Sequence, residues 1–324
     1  MTQRSCKISC WIITEGMAGT ENQCIGIADA LGVSPQIKRI SLNEPWKTLS
    51  PYLGFEGKRT FSEPISPPWP DLLITSGRKS IAAARYIKRL SKGKTISIHV
   101  QDPRSWTKGF DLIAVPEHDP LRGANVIVTK GSPNKITIDK MDQEYDEFLH
   151  LKSMNSPRVA VLIGGNSKAY KLTETITKKL AGDLLELNKS QNASLMITCS
   201  RRTGKENEDI LRSSLDNDKN FFWDGQGENP YMAMLSCADY IMVTADSASM
   251  ISESCTTGKP VYMINLEGGA KRISDLHTNL IRHGALKEFN GSLAPYEYEP
   301  LNDAKVVANE IKKRFGTLLG LANS

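Results

Sequence analysis

Side chains able to do chemistry recur in this sequence just after short apolar, β-branched runs. The first such turn, Glu15-Gly16-Met17-Ala18-Gly19-Thr20, sets a carboxylate and two glycines between a strand-like run and a helical one. Glycines let the backbone approach a ligand, and a helix start offers unpaired N–H groups. Gly16 and Gly19 are therefore candidate binding positions and Glu15 a candidate general base, the plain alternative being a tight turn with a solvated Glu15. Thr75-Ser76-Gly77-Arg78-Lys79-Ser80 places two cations at a helix start, where the dipole disfavours them. Arg78 and its neighbour thus face either an anionic partner or water. His99-Val100-Gln101-Asp102 and Val115-Pro116-Glu117-His118-Asp119 bring titratable groups to two more run ends, with Asp102 the reserve candidate for the base.

The second half repeats the pattern with more hydroxyls and guanidinium groups. Gly164-Gly165-Asn166 follows a buried run and leaves room for phosphate or sugar against bare backbone. Ser200-Arg201-Arg202-Thr203 offers hydroxyls and forks able to grip a diphosphate, with Ser200, Arg201 and Thr203 the binding candidates. Asp224, in Phe222-Trp223-Asp224-Gly225, and Tyr231, after Asn229-Pro230, could wall a base or ribose. Thr244, Asp246, Ser247 and Ser249 lead into a helix, where stacked hydroxyls make both an N-cap and a phosphate site. Glu253, one turn beyond Ser249, could accept from ribose hydroxyls, or else serve as a cap partner or surface charge. Asp216-Asn217-Asp218 has the look of a metal-binding DxD, but it precedes a strand and reads as a turn. No zinc, EF-hand or Ser-His-Asp spacing is present, and no metal or other cofactor is expected.

These loops need a scaffold, and the runs between them supply one. Strands are expected over Ile8–Thr14, Ile37–Ser41, Leu72–Thr75, Thr95–Val100, Leu112–Val115 and Val126–Thr129, with helices over Asn22–Leu31 and Ser80–Leu90. The Pro-rich EPISPPWP cannot be regular structure. RVAVLIGG, SLMITCS, NFFWDG, YIMVTAD and PVYMINL give five more strands, and AKVVANEIKKRFGTLLGL a closing helix. Alternating strands and helices mean parallel sheets. The polar stretch Lys140–Pro157 reads as the linker, giving a first α/β domain over 1–152 and a second over 153–324 whose last helix closes that domain or packs back. The expected architecture is two doubly wound Rossmann-like domains facing across a cleft, with function in the loops after the strands.

Composition agrees. The chain has 324 residues, 40% hydrophobic and 24% charged, enough to bury a sizeable core without disulfides. Its 41 Lys+Arg against 36 Asp+Glu leave a scattered +5, which argues against dedicated nucleic-acid binding but suits an anionic ligand or lipid surface. A mean hydropathy of −0.34 and the lack of a long apolar run argue against a membrane span. The six cysteines never form CxxC and read as buried thiols of a cytoplasmic protein; Cys6 and Cys10 share a strand face.

Taken together, WIITEGMAGTENQ, TSGRKS, QDPR, FDLIAVPEHD, NVIVTKGSPN, VAVLIGGNSKAY, SRRTG and the long block from Trp223 to Ile264 resemble the mitochondrial-fission (elongated-mitochondria) family. The resemblance runs from about residue 10 to about residue 290. Family members look like B-type glycosyltransferases, in which the carboxyl-terminal domain holds a nucleotide-sugar and the amino-terminal one the acceptor. Family first loops usually open with Asp-Gly, whereas this chain has Glu15-Gly16, a carboxylate one methylene longer. Plant members are linked to recruiting a dynamin-related protein to mitochondria.

The leading expectation is a metal-independent glycosyltransferase using a nucleotide-diphosphate sugar. Arg201, Ser247 and Ser249 would hold the diphosphate, Glu253 the ribose, and Glu15 would deprotonate the acceptor, for which a lipid-linked or lipopolysaccharide molecule at a membrane surface is one candidate. A transferase-like scaffold for protein partners and a nucleotide-sugar epimerase are the alternatives.

Overall fold

The computed structural model describes residues 8–145 and 147–321, which divide into two compact units: 8–135 together with 302–321, and 136–301. Cys6 lies outside the described residues, and with it the reading that pairs it with Cys10.

In the first unit β1 (Cys10–Thr14), α1 (Ala18–Leu31), β2 (Pro35–Arg39), α2 (Trp46–Leu49), β3 (Leu72–Ser76), α3 (Ser80–Leu90), β4 (Ile96–Val100), β5 (Leu112–Pro116) and β6 (Val126–Thr129) follow one another. The six strands form one parallel sheet ordered β2-β1-β3-β4-β5-β6. Cys10 and Ile12 enter one apolar layer while Trp11 and Ile13 enter another, so both faces are covered. That is why central strands such as β1, β3 and β5 read as nearly unbroken apolar runs. Residues 62–71, the Pro-rich stretch, form no helix or strand. Helix α1 starts four residues ahead of the expected Asn22 because the ladder opens with Glu21 N donating to the Met17 carbonyl (3.0 Å). Its acidic residue then lies in the first turn, where the dipole favours it.

The second unit contains α4 (Ile138–Tyr145), α5 (Leu149–Lys152), β7 (Arg158–Ile163), β8 (Tyr170–Lys171), α6 (Glu174–Ser190), β9 (Ser194–Cys199), α7 (Lys205–Leu215), β10 (Phe221–Phe222), α8 (Tyr231–Cys237), β11 (Tyr240–Thr244), α9 (Ala248–Thr256), β12 (Val261–Ile264), β13 (Glu267–Gly268), α10 (Lys271–Arg282) and β14 (Lys287–Glu288). Its parallel sheet is ordered β10-β9-β7-β11-β12-β14, with β8 and β13 paired antiparallel apart from it. Chain order reverses between β7 and β11, and in sheets of this kind ligands bind outside the carboxyl ends of the strands at that reversal.

The division falls at Lys135/Ile136, not at 152, and the closing helix α11 (Asp303–Leu319) belongs to the first unit. The supposed linker is half core: Met141 and Leu151 are buried in the second unit's apolar cluster. Val307, Ala308 and Ile311 of α11 pack into the layer that holds α1, and buried Asp303 accepts from Lys130 N (2.9 Å) and Gly131 N (2.8 Å).

Candidate functional site

At the β7/β11 reversal of the second unit, one carboxylate ties three loops together. Asp246, fully buried in its side chain, accepts from Thr244 Oγ1 (2.7 Å) through Oδ1. Through Oδ2 it accepts from Gly165 N (3.1 Å) and from Arg202 Nη2 (2.7 Å). Thr244 Oγ1 in turn accepts from Gly164 N (2.7 Å), and Ser200 Oγ and Thr203 Oγ1 both donate to the Gly164 carbonyl. Arg202 also accepts at its carbonyl from Asn166 N (2.8 Å), whose side-chain oxygen accepts from Leu172 N (3.0 Å).

Six expected binding residues, Gly164, Gly165, Ser200, Thr203, Thr244 and Asp246, are thus brought together, bound to one another. The two glycines serve this knot. A Cβ on Gly164 would lie 2.3 Å from Asp246 Oδ1, and one on Gly165, at φ +147°, would lie 2.2 Å from the Arg202 carbonyl oxygen. The bare backbone expected to face a ligand faces the protein's own carboxylate and carbonyl.

Other groups stay open. Arg201 and Asn166 are exposed, and the guanidinium of Arg201 has no ion pair or hydrogen bond among the described residues. Ser247 is the N-cap of α9, accepting from Met250 N (3.4 Å), while the Ser249 hydroxyl is uncommitted and the first-turn amides of Ala248 and Ser249 have no intrahelical partner. Because the strands run β9-β7-β11, Arg201 and Ser249 flank the β7 loop from either side. Arg202 neutralises Asp246, so the open rim is positive in sign. Glu253 is buried and accepts from Tyr231 Oη (2.7 Å), whose own ionisation is pushed far up by burial and by that carboxylate. These two expected ribose contacts meet each other. Asp224 is exposed and closes a turn by accepting from Gln226 N (2.9 Å). Beside it a depression of about 460 Å3 is lined by Phe148, His150, Arg212, Phe222, Trp223 and Asp224. Arg212 lies over the Phe222 ring at 4.2 Å. Asp216-Asn217-Asp218 is a turn, with Lys219 N donating to Asn217 Oδ1 (3.0 Å).

The carboxyl edge of the first unit is held by charge. Glu15 accepts from Lys79 N (3.0 Å) through Oε1, and its Oε2 lies 3.2 Å from Lys79 Nζ, so the carboxylate caps α3 and pairs with the cation there. The anionic partner expected for that helix start is, for Lys79, the chain's own Glu15; Arg78 is exposed. Arg39 forks onto Glu21 at 2.8 and 2.9 Å, which holds the Glu21 carboxyl below its usual range. Gly16 closes its turn by donating to Thr14 Oγ1 (3.1 Å), and Gly19 lies in the first turn of α1. Asp102 is half-buried and accepts from Arg104 N (2.8 Å) through Oδ1 alone. Its loop is strained, with Gln101, Arg104 and Trp106 all at positive φ. His99 is structural: it is stacked on Phe110 at 4.8 Å, hydrogen-bonded to Thr75 (2.8 Å) and pulled down to about 3 by burial, hence neutral.

Among the described residues no cluster of three or more His, Cys, Asp or Glu could hold a metal, and no helix is long and apolar enough to cross a membrane. Of the five described cysteines four are buried and Cys199 half-buried. The sequence reading missed Arg202, Glu21 and Arg39. Adjacent arginines at a strand end announce a guanidinium, but only the register decides which one turns inward.

The fold likeness spans nearly the whole chain. A UDP-GlcNAc 2-epimerase from Methanocaldococcus jannaschii matches with a TM-score of 0.58 at 13% identity, covering 94% of this chain and 100% of that one. The UDP-GlcNAc 2-epimerase of Neisseria meningitidis, bound to UDP-GlcNAc, matches with a TM-score of 0.51 at 13% identity, covering 95% and 100%. The expected B-type glycosyltransferase class of two doubly wound domains is the fold found. In sequence, the mitochondrial fission protein ELM1 of Arabidopsis thaliana is 28% identical, with 93% of this chain and 90% of the relative covered. An uncharacterized Rickettsia prowazekii protein, RP120, is 27% identical, with 93% and 97% covered. The family model described as Mitochondrial fission ELM1 matches residues 18–315, and the chain belongs to that family.

Proposed function

We propose that this chain is a nucleotide-diphosphate-sugar enzyme that takes its donor at the β7/β11 reversal of the second unit and transfers the sugar to a hydroxyl acceptor. The observation that carries the reading is the Asp246 knot, which fixes three loops and leaves outward the donors that a diphosphate takes up: the Arg201 guanidinium, the Ser249 hydroxyl and the first-turn amides of α9. Arg201 binds the diphosphate and meets the charge that develops on it as the sugar departs, so the reaction draws on no metal. Fold relatives named as UDP-GlcNAc 2-epimerases support a nucleotide-sugar ligand.

On the acceptor side the geometry favours Asp102 over Glu15 as the base. Both Glu15 oxygens are engaged by Lys79, whereas Asp102 spends only Oδ1. The formal +5 charge suits an acceptor carried on an anionic lipid or lipopolysaccharide. Epimerisation of the donor is the second reading, favoured by the names of those fold relatives.

Calorimetry with UDP-, GDP- and ADP-sugars, on the native chain and on Arg201→Ala, tests the donor site. Binding by one nucleotide series that weakens in the variant supports it; no binding by any overturns it and leaves a scaffold for protein partners. Product analysis without acceptor then separates the chemistries, since a C2-inverted sugar marks epimerisation.

A further inference from the structure

The second unit's sheet also has an open amino end, away from the carboxyl loops. There, at the starts of β7, β11 and β12, Arg158, Asp239, Tyr240, Lys259, Pro260 and Tyr296 line a depression of about 500 Å3. Two cations meet one carboxylate in it. Asp239 is engaged through Oδ2, which accepts from Ser156 Oγ (2.8 Å) and from Arg158 N (2.7 Å), so the two cations outnumber the one carboxylate. Arg158 Nη1 donates to the Lys152 carbonyl (3.2 Å), but its buried Nε stands 3.7 Å from that carboxylate oxygen, an ion pair too long for a hydrogen bond, and has no hydrogen-bond partner. Lys259 Nζ donates to the Ser236 carbonyl and enters no ion pair among the described residues. An ammonium has three N–H donors, so two are unspent. Burial, with the neighbouring Arg158 charge adding to it, pulls this amine down to about 8 against Cys237, Asp239 and, from α4, Asp142, which all act to raise it.

A buried guanidinium nitrogen without a hydrogen-bond acceptor is costly, native structures seldom leave such a group unmet, and the half-buried Lys259 amine beside it has donors to spare. An oxyanion supplies acceptors to both, and the volume is in the range of small-molecule sites. We propose that this depression is a second ligand site, for a small organic oxyanion whose phosphate or carboxylate lies between Arg158 and Lys259 and whose apolar body rests on Tyr240, Pro260 and Tyr296.

The test follows acetylation of individual lysines by acetic anhydride, read by mass spectrometry on the full chain, with phenyl phosphate or benzoate as probe. At ten times its Kd a probe should slow Lys259 about tenfold. The exposed Lys178 and Lys271 should be unaffected, and Arg158→Met should lose the protection. Protection by phenyl phosphate alone or by benzoate alone identifies the head group. The proposal is overturned if neither probe slows Lys259, if Lys178 and Lys271 slow equally, or if protection survives in Arg158→Met. Should Arg158→Met lack a cooperative thermal transition, calorimetry of the better probe against Lys259→Met decides, retained binding being the overturning result. None of these outcomes depends on nucleotide binding at the opposite edge.

Discussion

The loops at the reversal of the second sheet are tied by hydroxyls and amides around a single carboxylate that Arg202 neutralises, whereas the corresponding loops of the first sheet are tied by two ion pairs, Glu15 with Lys79 and Glu21 with Arg39. The difference decides what each edge has left for a ligand. Hydroxyls and backbone N–H groups can hold an edge without using up its cations, so Arg201 stays open beside the knot. In the first unit Glu15 and Lys79, and Glu21 and Arg39, hold one another, and among the candidate residues the exposed Arg78 and the second oxygen of Asp102, on a loop with three residues at positive φ, stay unspent. One edge is rigid and electropositive; the other is braced by charge and keeps a carboxylate in reserve.

The contrast can be broken by substitution. Asp246→Ala strips three donors of their acceptor and should cost about 3 kcal/mol in urea unfolding. A change under about 0.5 kcal/mol, the range of an ordinary surface site, would mean that the knot is not what fixes these loops. Gly165→Ala should cost about 2 kcal/mol through its clash with the Arg202 carbonyl, and a variant as stable as the native chain would show that the loop can shift. Arg201→Ala should leave the melting temperature unchanged and weaken UDP-sugar binding about tenfold to hundredfold, and unaltered affinity would remove Arg201 from the site. Ser249→Ala should weaken it about fivefold, with stability again untouched. The smallest effect tests the first unit. Arg39, chiefly through its hydrogen bonds, holds the Glu21 carboxyl low, so the stability this pair contributes is present above the ordinary carboxylate range and lost as pH falls through the lowered native value. Melting curves of Glu21→Gln should therefore lie below the native ones at neutral pH and converge with them in acid; a constant gap would contradict the ion-pair account.

Much of the fold was legible because the central strands are buried on both faces and leave dense apolar runs, as Leu72–Ser76 and Arg158–Ile163 do. Two-residue strands such as Lys287–Glu288, exposed and polar, leave no such run. The unit boundary was misplaced because Lys140–Pro157 is polar in bulk, and its core-facing residues Met141, Phe148, Leu151 and Met154 are spaced among charged and polar ones. Site positions were legible, since strand ends can be read from the runs; site roles were not. Nothing in Gly164-Gly165 says whether a phosphate or a carboxylate of the same chain fills the space beside it, and nothing near Glu253 names Tyr231, 22 residues away, as its partner.

The closing helix sets an order of events at the ribosome. One face of the first sheet, with Cys10, Ile12 and Ile98, shares its apolar layer with α1 and with residues 307–319, so the earliest-made half of the chain emerges with that flank only partly covered while the entire second unit is still being translated. Trimming the chain from its carboxyl end should therefore injure the amino-terminal half first, leaving sticky, aggregation-prone nascent protein beside an intact Rossmann neighbour.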